Sequence, residues 1–173
     1  MIMYKKARLA DISSMQCLVR KEVENGIILP RSDDEIATNI RSYTLACNEN
    51  DIVGYSALHI HASNLAEVRS LIIKDGLRGK GIGGGLVKAL LDEAKSLGIK
   101  QVFTLTYRAS FFEKLGFDRI SKEKLPAQKI WADCIKCKHF PICNEIALIY
   151  YLYRLYTFRS RFLTPLNKQK ITR

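Results

Sequence analysis

The sequence lacks any hydrophobic run long enough to cross a bilayer. Its longest uncharged apolar stretch near the end, "IALIYYLY" at residues 146–153, falls far short of the roughly 20 residues that a spanning helix needs. The first residues, "MIMYKKARLADI", carry charges where a signal peptide needs its apolar segment. We therefore expect a cytoplasmic protein without a membrane span, whose five cysteines are reduced thiols rather than a disulfide framework.

Acidic residues are also scarce, with 17 Asp and Glu against 28 Lys and Arg and a formal net charge of +11. Six of the basic residues and none of the acidic ones lie in residues 146–173, so the remainder is only mildly basic, which suits an anionic substrate. No internal repeat or low-complexity linker divides the 173 residues. We predict one domain over residues 1–153 and a basic, aromatic extension over residues 154–173, either disordered or oligomer-forming or in contact with a membrane or nucleic acid.

Periodicity and turn residues predict an α/β order. Ser32 with Glu35 three residues later forms a capping box that begins the second helix. Short turns between consecutive strands imply antiparallel neighbours in the first half, and helical crossovers follow in the second half. The expected fold is a mixed, mostly antiparallel sheet flanked by helices. Strands are predicted at 3–10, 43–47, 52–60, 65–73, 100–107 and 117–120, and helices at 11–24, 33–42, 82–97 and 109–116.

A glycine-rich segment follows the predicted strand that ends at Ile73. Five glycines fall between residues 79 and 85, Arg78 and Lys80 lie beside them, and an amphipathic helix begins at Ile82. Glycine lets the backbone approach an anion closely, and the first turn of a helix adds unpaired N–H groups and the positive end of its dipole. The segment is predicted to bind a phosphate or pyrophosphate; the alternative is a surface loop without a ligand.

Two nucleotide-binding motifs do not fit this segment. A P-loop ends in Gly-Lys-Ser/Thr, which is absent. The dinucleotide pattern G-x-G-x-x-G is met by Gly79, Gly81 and Gly84, but "KDGLR" separates it from the preceding strand. The next strand ends in Tyr107 and Arg108, without the acid that would hold a ribose.

A third pattern, Arg-x-x-Gly-x-Gly at Arg78, Gly81 and Gly83, resembles the pyrophosphate loop of the GNAT superfamily of acetyl-CoA-dependent N-acetyltransferases. The segment "SFFEKLGF" (110–117) is similar to a later motif of that family, and the element order agrees from residue 3 to about residue 153. The resemblance implies the GNAT fold and acetyl-CoA as co-substrate. The implied cofactor-binding residues are Leu71, Ile72, Ile73, Arg78, Gly79, Lys80, Gly81, Ile82, Gly83, Gly84 and Phe112, of which Phe112 is alternatively a core residue.

Glu67 is a carboxylate inside the strand that precedes the glycines. Strict alternation would place Glu67, Arg69 and Leu71 on one face and Ser70 and Ile72 on the other. The resemblance and the chemistry both predict that Glu67 is the general base that takes the proton of the attacking amine, with partial burial raising its pKa toward neutrality. The alternatives are an ion pair with Arg69 and a solvated edge.

Protonation of the leaving thiolate needs an acid. Many members of the family have a tyrosine immediately before "EKLGF", where this sequence has Phe112, which has no proton to donate. Tyr107, at the end of the preceding strand, is predicted as the acid, with Ser110 as the second choice. The alternative for Tyr107 is a half-buried strand tyrosine.

Four segments together resemble the short, stand-alone N-acetylglutamate synthases: "NGIILPRSDDEIATNIRSY", "AEVRSLII", "VFTLTYRASFFEKLGF" and "LPAQKIWADCIKC". The resemblance implies L-glutamate as acceptor and a place in arginine biosynthesis. Arginine holds a carboxylate with two parallel hydrogen bonds, so Arg31, Arg69 and Arg108, with Ser32, are predicted to bind the substrate.

Several alternatives stay open at this point. The acceptor could be another amine such as glutamine, a polyamine or a protein terminus. The protein could instead be a CoA-sensing or nucleic-acid-binding module that uses the basic extension, although we expect no nucleic-acid partner, or an enzyme that forms an acetyl-cysteine at Cys47. A homodimer is also left open.

Two groups of residues receive no role. Cys134, Cys137 and Cys143, with His139, form half of a metal-site pattern, and the alternative is buried thiols without a metal. His59 and His61 share a strand face and form a second metal or base site or a structural pair. Trp131 is expected to be a lid or a core anchor.

Overall fold

The computed structural model describes residues 1–127, 129, 133–137, 139 and 142–153. Trp131 and the predicted extension 154–173 lie outside these residues. The α-helices whose bounds lie within the described residues are α1 (Ile12–Glu24), α2 (Asp33–Thr38), α3 (Ile82–Ser96) and α4 (Ala109–Lys114). The strands are β1 (Ile2–Lys6), β2 (Tyr43–Asn48), β3 (Asp51–Ala62), β4 (Leu65–Ile73), β5 (Gln101–Thr106), β6 (Asp118–Arg119) and β7 (Ile146–Tyr151).

The strands form one mixed sheet in the order β1-β2-β3-β4-β5-β7-β6. Strands β1 to β4 are antiparallel neighbours, and α3 carries the chain across to β5, which pairs with β4 in parallel. The predicted change from antiparallel to crossover connections is confirmed. Strand β7 is missing from the expectation, although its six residues "IALIYY" form the short apolar run typical of a buried strand.

Helices cover both faces of the sheet. On one face α3 packs over the centre, where Leu86, Val87 and Leu90 are buried against the strands. On the other face α1 packs through Ile12, Met15 and Val19. The capping box predicted at the start of α2 is present, since the Ser32 hydroxyl accepts a hydrogen bond from the Glu35 amide and the Glu35 carboxylate accepts one from the Ser32 amide.

Strands β4 and β5 separate after a short stretch of pairing. Their parallel register covers only three pairs and ends at Glu67 and Phe103, while β4 runs on to Ile73 and β5 to Thr106. We call the gap between residues 68–73 of β4 and residues 104–106 of β5 the strand fork. The β4 edge facing the fork is free of β5 pairing, so its backbone groups can take an extended ligand.

A bulge interrupts β4 beside the strand fork. Tyr55 of β3 pairs with Ile72 and Ala57 pairs with Arg69, so Ser56 alone opposes both Ser70 and Leu71. Ser70 has φ of 56°, in the left-handed region that a non-glycine residue enters at a cost. The hydroxyl of Ser56 donates a hydrogen bond to the Arg69 carbonyl at 3.0 Å, which helps to hold this geometry.

The bulge changes which side chains share a face. Leu71, predicted on the face of Glu67, packs instead with Val68 in the cluster beneath α3. Ile72, predicted on the opposite face, packs with Tyr55 beneath α1. The alternation was wrong beyond Arg69 because the extra residue shifts the period of two by one position.

Gly54 of β3 allows β4 to approach closely next to the bulge. A Cβ at this position would lie 2.8 Å from the carbonyl oxygen of Ile72 and 2.6 Å from Cδ1 of Ile73. The backbone oxygen cannot move without displacing β4. We expect Gly54→Ala to lower the free energy of unfolding by about 1–3 kcal/mol, measured by urea denaturation.

Gly84→Ala is the matched control for this prediction. Its new methyl group would meet Leu115 at an ordinary contact distance of 3.7 Å, and alanine favours the helix. Its stability should be unchanged or higher by up to about 1 kcal/mol. Equal stabilities of the two variants would contradict the close approach of β3 and β4.

Candidate active site

The glycine segment has the backbone geometry that the sequence predicts. Gly79 and Gly81 have φ of 80° and 81°, and nothing lies within 4 Å of a Cβ at either position, so backbone conformation rather than space favours glycine there. Gly81 is the N-cap of α3, and the first helical bond runs from the Gly85 amide to the Gly81 carbonyl. The amides of residues 82–84 therefore have no partner within the helix.

The two cations predicted beside these amides have different surroundings. The Arg78 guanidinium pairs with Glu22 of α1 and with Asp75, and it donates to the Ile73 carbonyl at 3.3 Å. Its charge is thus partly used to attach the loop to α1. Lys80 is exposed.

Phe112 is a buried core residue. It is 4% exposed and packs edge-on against Phe111 and Phe117 in the core beneath α4. Its neighbour Phe111 points toward the loop instead, with its ring 3.4 Å from the position of a Gly83 Cβ. Phe112 is therefore buried in the core, as the alternative described, and its assignment to the cofactor site stays a prediction.

Glu67 is a buried ion-pair partner. Its side chain is closed to solvent, with Oε1 2.6 Å from Lys129 Nζ and Oε2 accepting a hydrogen bond from His61 Nε2 at 2.9 Å. Burial acts to raise the pKa of Glu67, but His61, Lys129 and Arg69 outweigh it and hold that pKa below its ordinary value. The raised pKa that the sequence predicted is therefore wrong. The catalytic role of Glu67 stays a prediction.

Asp133 joins the two arginines that the sequence singled out. Its carboxylate accepts from Arg31 Nη2 at 3.0 Å, from Arg69 Nη1 at 3.2 Å and from Lys129 Nζ at 2.9 Å. Burial acts to raise the pKa of Asp133, but Lys129 and the two arginines lower it well below its usual range. We call Arg31, Glu67, Arg69, Lys129 and Asp133 the charge cluster.

Among the described residues, one donor of the charge cluster has no acceptor. It is the Nε–H of Arg69, which is buried within a side chain that is 10% exposed and makes no hydrogen bond there. A small cleft adjoins the cluster at the bulge, and it is lined by Arg31, Tyr43, Tyr55, Ser70 and Gln16 together with the apolar side chains of Val19, Val23, Ile28, Leu29 and Ile36. A buried N–H that stays unsatisfied costs about 1–3 kcal/mol.

The other residues predicted for catalysis or substrate binding lie outside the charge cluster. Tyr107 follows β5 and is 44% exposed, so it is neither buried nor in the charge cluster. Arg108 is the exposed N-cap of α4, and its side chain makes no contact with Asp133 among the described residues. Ser32 adjoins Arg31, but its hydroxyl is used as the helix cap.

Lys129 and Asp133 are the members of the charge cluster that were not predicted from the sequence. Both come from the segment after Pro126, and they pair with each other at a spacing of four residues. That spacing in an otherwise apolar stretch was a signal for a buried pair. Their contacts with residues more than 60 positions earlier in the chain are long-range and follow only from the fold.

The cysteines give no sign of metal or covalent chemistry in the described part of the chain. No group of three His, Cys, Asp or Glu side chains there could hold a metal ion, and Cys134, Cys137 and Cys143 are half-buried. His61 is the hydrogen-bonding partner of Glu67, and burial lowers the pKa of His59 to about 4. Cys47 is 1% exposed and burial raises the pKa of its thiol, which opposes the acetyl-cysteine alternative.

Comparison with known proteins gives the family. The Acetyltransferase (GNAT) family matches residues 11–117, and the chain belongs to it. An uncharacterized N-acetyltransferase of Chlorobaculum tepidum is 37% identical over 145 residues, which are 84% of this chain and 93% of that protein. The amino-acid acetyltransferase of Aeromonas salmonicida is 31% identical over 72% of this chain, but this match spans only 29% of the relative.

Solved structures agree with the fold. N-acetylglutamate synthase of Neisseria gonorrhoeae, complexed with coenzyme A and N-acetyl-glutamate, superposes with a TM-score of 0.80 at 23% identity, over 89% of this chain and 36% of that one. A Mycobacterium tuberculosis protein in complex with CoA superposes with a TM-score of 0.75 at 25% identity, over 87% and 99%. The protein is thus a GNAT N-acetyltransferase that uses acetyl-CoA as co-substrate.

No described helix is long and apolar enough to span a membrane.

Removal of Lys129 should change both stability and its dependence on pH. Lys129→Met leaves Glu67 buried without its cation, so we expect a loss of about 3–5 kcal/mol at pH 7. In the wild type the lowered pKa values of Glu67 and Asp133 contribute stability above the ordinary carboxyl range, and this contribution is lost as the pH falls through their folded values. In the variant the effect of burial on Glu67 is no longer outweighed by the Lys129 ammonium, so the pKa of Glu67 rises. Protonation of Glu67 then removes the cost of burying its charge.

The difference in free energy of unfolding between the wild type and Lys129→Met should therefore become smaller as the pH falls from 8 to 5. Urea denaturation at each pH measures it. Lys136→Met is the control, because Lys136 is exposed in the same segment and its loss should cost less than about 0.5 kcal/mol at every pH. A deficit that is constant with pH would show that Lys129 does not hold Glu67 ionised.

Proposed function

We propose that this N-acetyltransferase acetylates the α-amine of an amino acid, L-glutamate, in arginine biosynthesis. The observation that carries the proposal is the buried Arg69 Nε–H, which finds no acceptor in the described part of the chain and lies beside Arg31 and next to the bulge. The side chains of Arg31 and Arg69 are 18% and 10% exposed and both reach Asp133, and such a pair suits a carboxylate, which accepts several charge-assisted hydrogen bonds at once. Relatives named amino-acid acetyltransferases support the same substrate class.

The cofactor is proposed to lie across the glycine segment and the strand fork. The unpaired amides of residues 82–84 would hold its pyrophosphate at the start of α3, with Lys80 adding charge. Residues 71–73 of β4 would pair with the extended pantetheine arm, because β5 has already separated from them. The thioester would then reach the bulge, where the acceptor cleft opens.

Transfer is proposed to be direct, within a complex of both substrates. The amine nitrogen attacks the thioester carbonyl, the nitrogen–carbon bond forms, and the carbon–sulfur bond breaks. The thiolate gains one proton, with Tyr107 as its donor, and one further proton passes from the ammonium to the solvent. The buried, protonated thiol of Cys47 supports this route over an acetyl-cysteine.

A second acceptor is favoured by the charges of the cluster. Arg31, Arg69 and Lys129 face two carboxylates, Glu67 and Asp133, which leaves one positive charge for one further carboxylate. Glutamate brings two carboxylates, and its second one would need an exposed cation such as Arg108. An amino acid with a single carboxylate, such as glutamine, therefore remains a candidate.

The proposed acceptor class is tested by thiol release from acetyl-CoA over a panel of amines. We expect glutamate or glutamine to react, and we expect amines without a carboxylate, such as spermidine, to fall by more than about 100-fold in kcat/KM, because they leave buried donors unpaired. Arg31→Gln should raise the acceptor KM by about 30-fold or more. Arg41→Gln, on an exposed arginine, is the control and should leave it unchanged. Turnover of spermidine equal to that of glutamate would exclude the amino-acid assignment.

The cofactor loop is tested by two alanine substitutions with the same backbone strain. Gly81 and Gly98 both have positive φ and open space around the Cβ position, but only Gly81 begins α3. Alanine at 81 disfavours the left-handed geometry by about 1–2 kcal/mol, which should weaken CoA binding about 5- to 30-fold in calorimetry. Gly98→Ala should bind CoA like the wild type. Unchanged affinity in both variants would place the pyrophosphate elsewhere.

A further inference from the structure

Glu145 lies opposite Tyr107 at the open end of the strand fork. In the antiparallel pair of β5 and β7, Thr106 is matched with Ile146, so the next matched position brings Tyr107 and Glu145 together. Side chains at such positions have Cβ atoms about 4.5–5.5 Å apart. Side chains two apart on a strand point to the same face. Tyr107 therefore shares a face with Leu105 and Phe103, and Glu145 shares that face with Ala147.

This is the same face that carries the charge cluster. Glu67 is matched with Phe103 across β4 and β5, and matched residues of neighbouring strands point to the same side. Glu145 is close enough to interact electrostatically with Tyr107 on one side and with Glu67 on the other. The charged and titratable groups that face Glu145 are Tyr107, Lys129, Glu67 and Lys122, together with Cys134 and Cys143.

The immediate contacts of Glu145 differ from those of the two carboxylates of the charge cluster. Among the described residues its side chain receives one hydrogen bond, from the Cys143 thiol at 3.7 Å, and no cation lies within ion-pair distance. Burial raises the pKa of Glu145 above its ordinary value, although Lys129 and Cys143 oppose the shift. Glu67 and Asp133, by contrast, are neutralised by lysine and arginine, and their pKa values are lowered.

The cysteine-containing segment helps to create this environment. Cys143 contacts the Glu145 carboxylate, and the ring of His139 lies with its centroid 6.4 Å from that of Tyr107. The residues that looked like half a metal site therefore lie around Tyr107 and Glu145. Removal of water by such a cover is what raises the proton affinity of a carboxylate.

We propose that Glu145 is the base that takes the proton from the acceptor's ammonium group, and that Glu67 instead positions Lys129 within the charge cluster. The deprotonated amine then attacks the thioester, the nitrogen–carbon bond forms and the carbon–sulfur bond breaks. The attacking nitrogen loses its second proton, and the thiolate gains one through Tyr107, so one proton in all is released. The inference rests on the proposed function only in that the acceptor is an amine.

The test is the pH dependence of kcat/KM for Glu145→Gln, with the best acceptor of a panel of amino acids, polyamines and peptide N-termini. We expect a loss of at least about 100-fold at pH 7, with the KM for acetyl-CoA changed by less than about threefold. The wild-type profile should level off above the pKa of its base. The variant's rate should continue to rise tenfold per pH unit up to the pKa of the acceptor amine, because only molecules already deprotonated react. Glu123→Gln, on an exposed glutamate of the preceding turn, should keep the wild-type profile.

A second measurement does not depend on the acceptor. In protein labelled with ¹³C at glutamate carboxyl carbons, the resonance missing from Glu145→Gln should titrate above the ordinary glutamate value, and the one missing from Glu67→Gln should titrate below it. A wild-type rate and profile in Glu145→Gln, or a Glu145 resonance that titrates in the ordinary range or lower, would overturn the proposal. A panel in which only amines other than amino acids react would reject the proposed acceptor and leave the role of Glu145 to be decided by the same two measurements.

Discussion

The separation of β4 from β5 is the constraint on which the site depends. Parallel pairing ends at Glu67 and Phe103, and the bulge at Ser70 then turns the backbone of β4 away from its regular period. The free edge beyond the last pair is where an extended cofactor arm can add hydrogen bonds without displacing a strand. Glu67 and Arg69 precede the bulge and share one face, whereas the bulge sends Leu71 into the core beneath α3. A regular strand would have neither the opening nor this division of side chains.

The charge cluster shows how buried ionised groups are kept in such an opening. Each carboxylate has at least one cation within hydrogen-bonding distance, and Asp133 has three. Isolated charges would be too costly in this environment, so the segment that carries Lys129 and Asp133 is tied to β4 by the need to pair them. Among the described residues the Arg69 Nε–H has no acceptor, which marks the place where the pairing is incomplete.

How far the sequence predicted this arrangement depends on the range of each signal. The glycine segment, the start of α3 and the capping box at Ser32 are set by neighbouring residues, and all were predictable. Strand β7 escaped prediction because it lies far along the chain from β5 and β6, and its apolar run gives no partner. The bulge at Ser70 has no glycine to indicate it. Lys129 and Asp133 acquire meaning only through contacts with Glu67, Arg31 and Arg69, which a one-dimensional pattern does not contain.

The comparison of Glu67 with Glu145 explains why a catalytic role cannot be assigned from burial alone. Both are glutamates near the strand fork, and burial acts on both in the direction that raises the pKa. At Glu67 the ammonium of Lys129 and the imidazole of His61 reverse that effect, which stabilises the ion and weakens it as a base. At Glu145 a thiol is the hydrogen-bonding partner, and a thiol offsets much less of the cost of ionisation. A strand carboxylate beside a thioester is a natural candidate from sequence, but the number of cations around it decides whether it holds a charge or moves a proton.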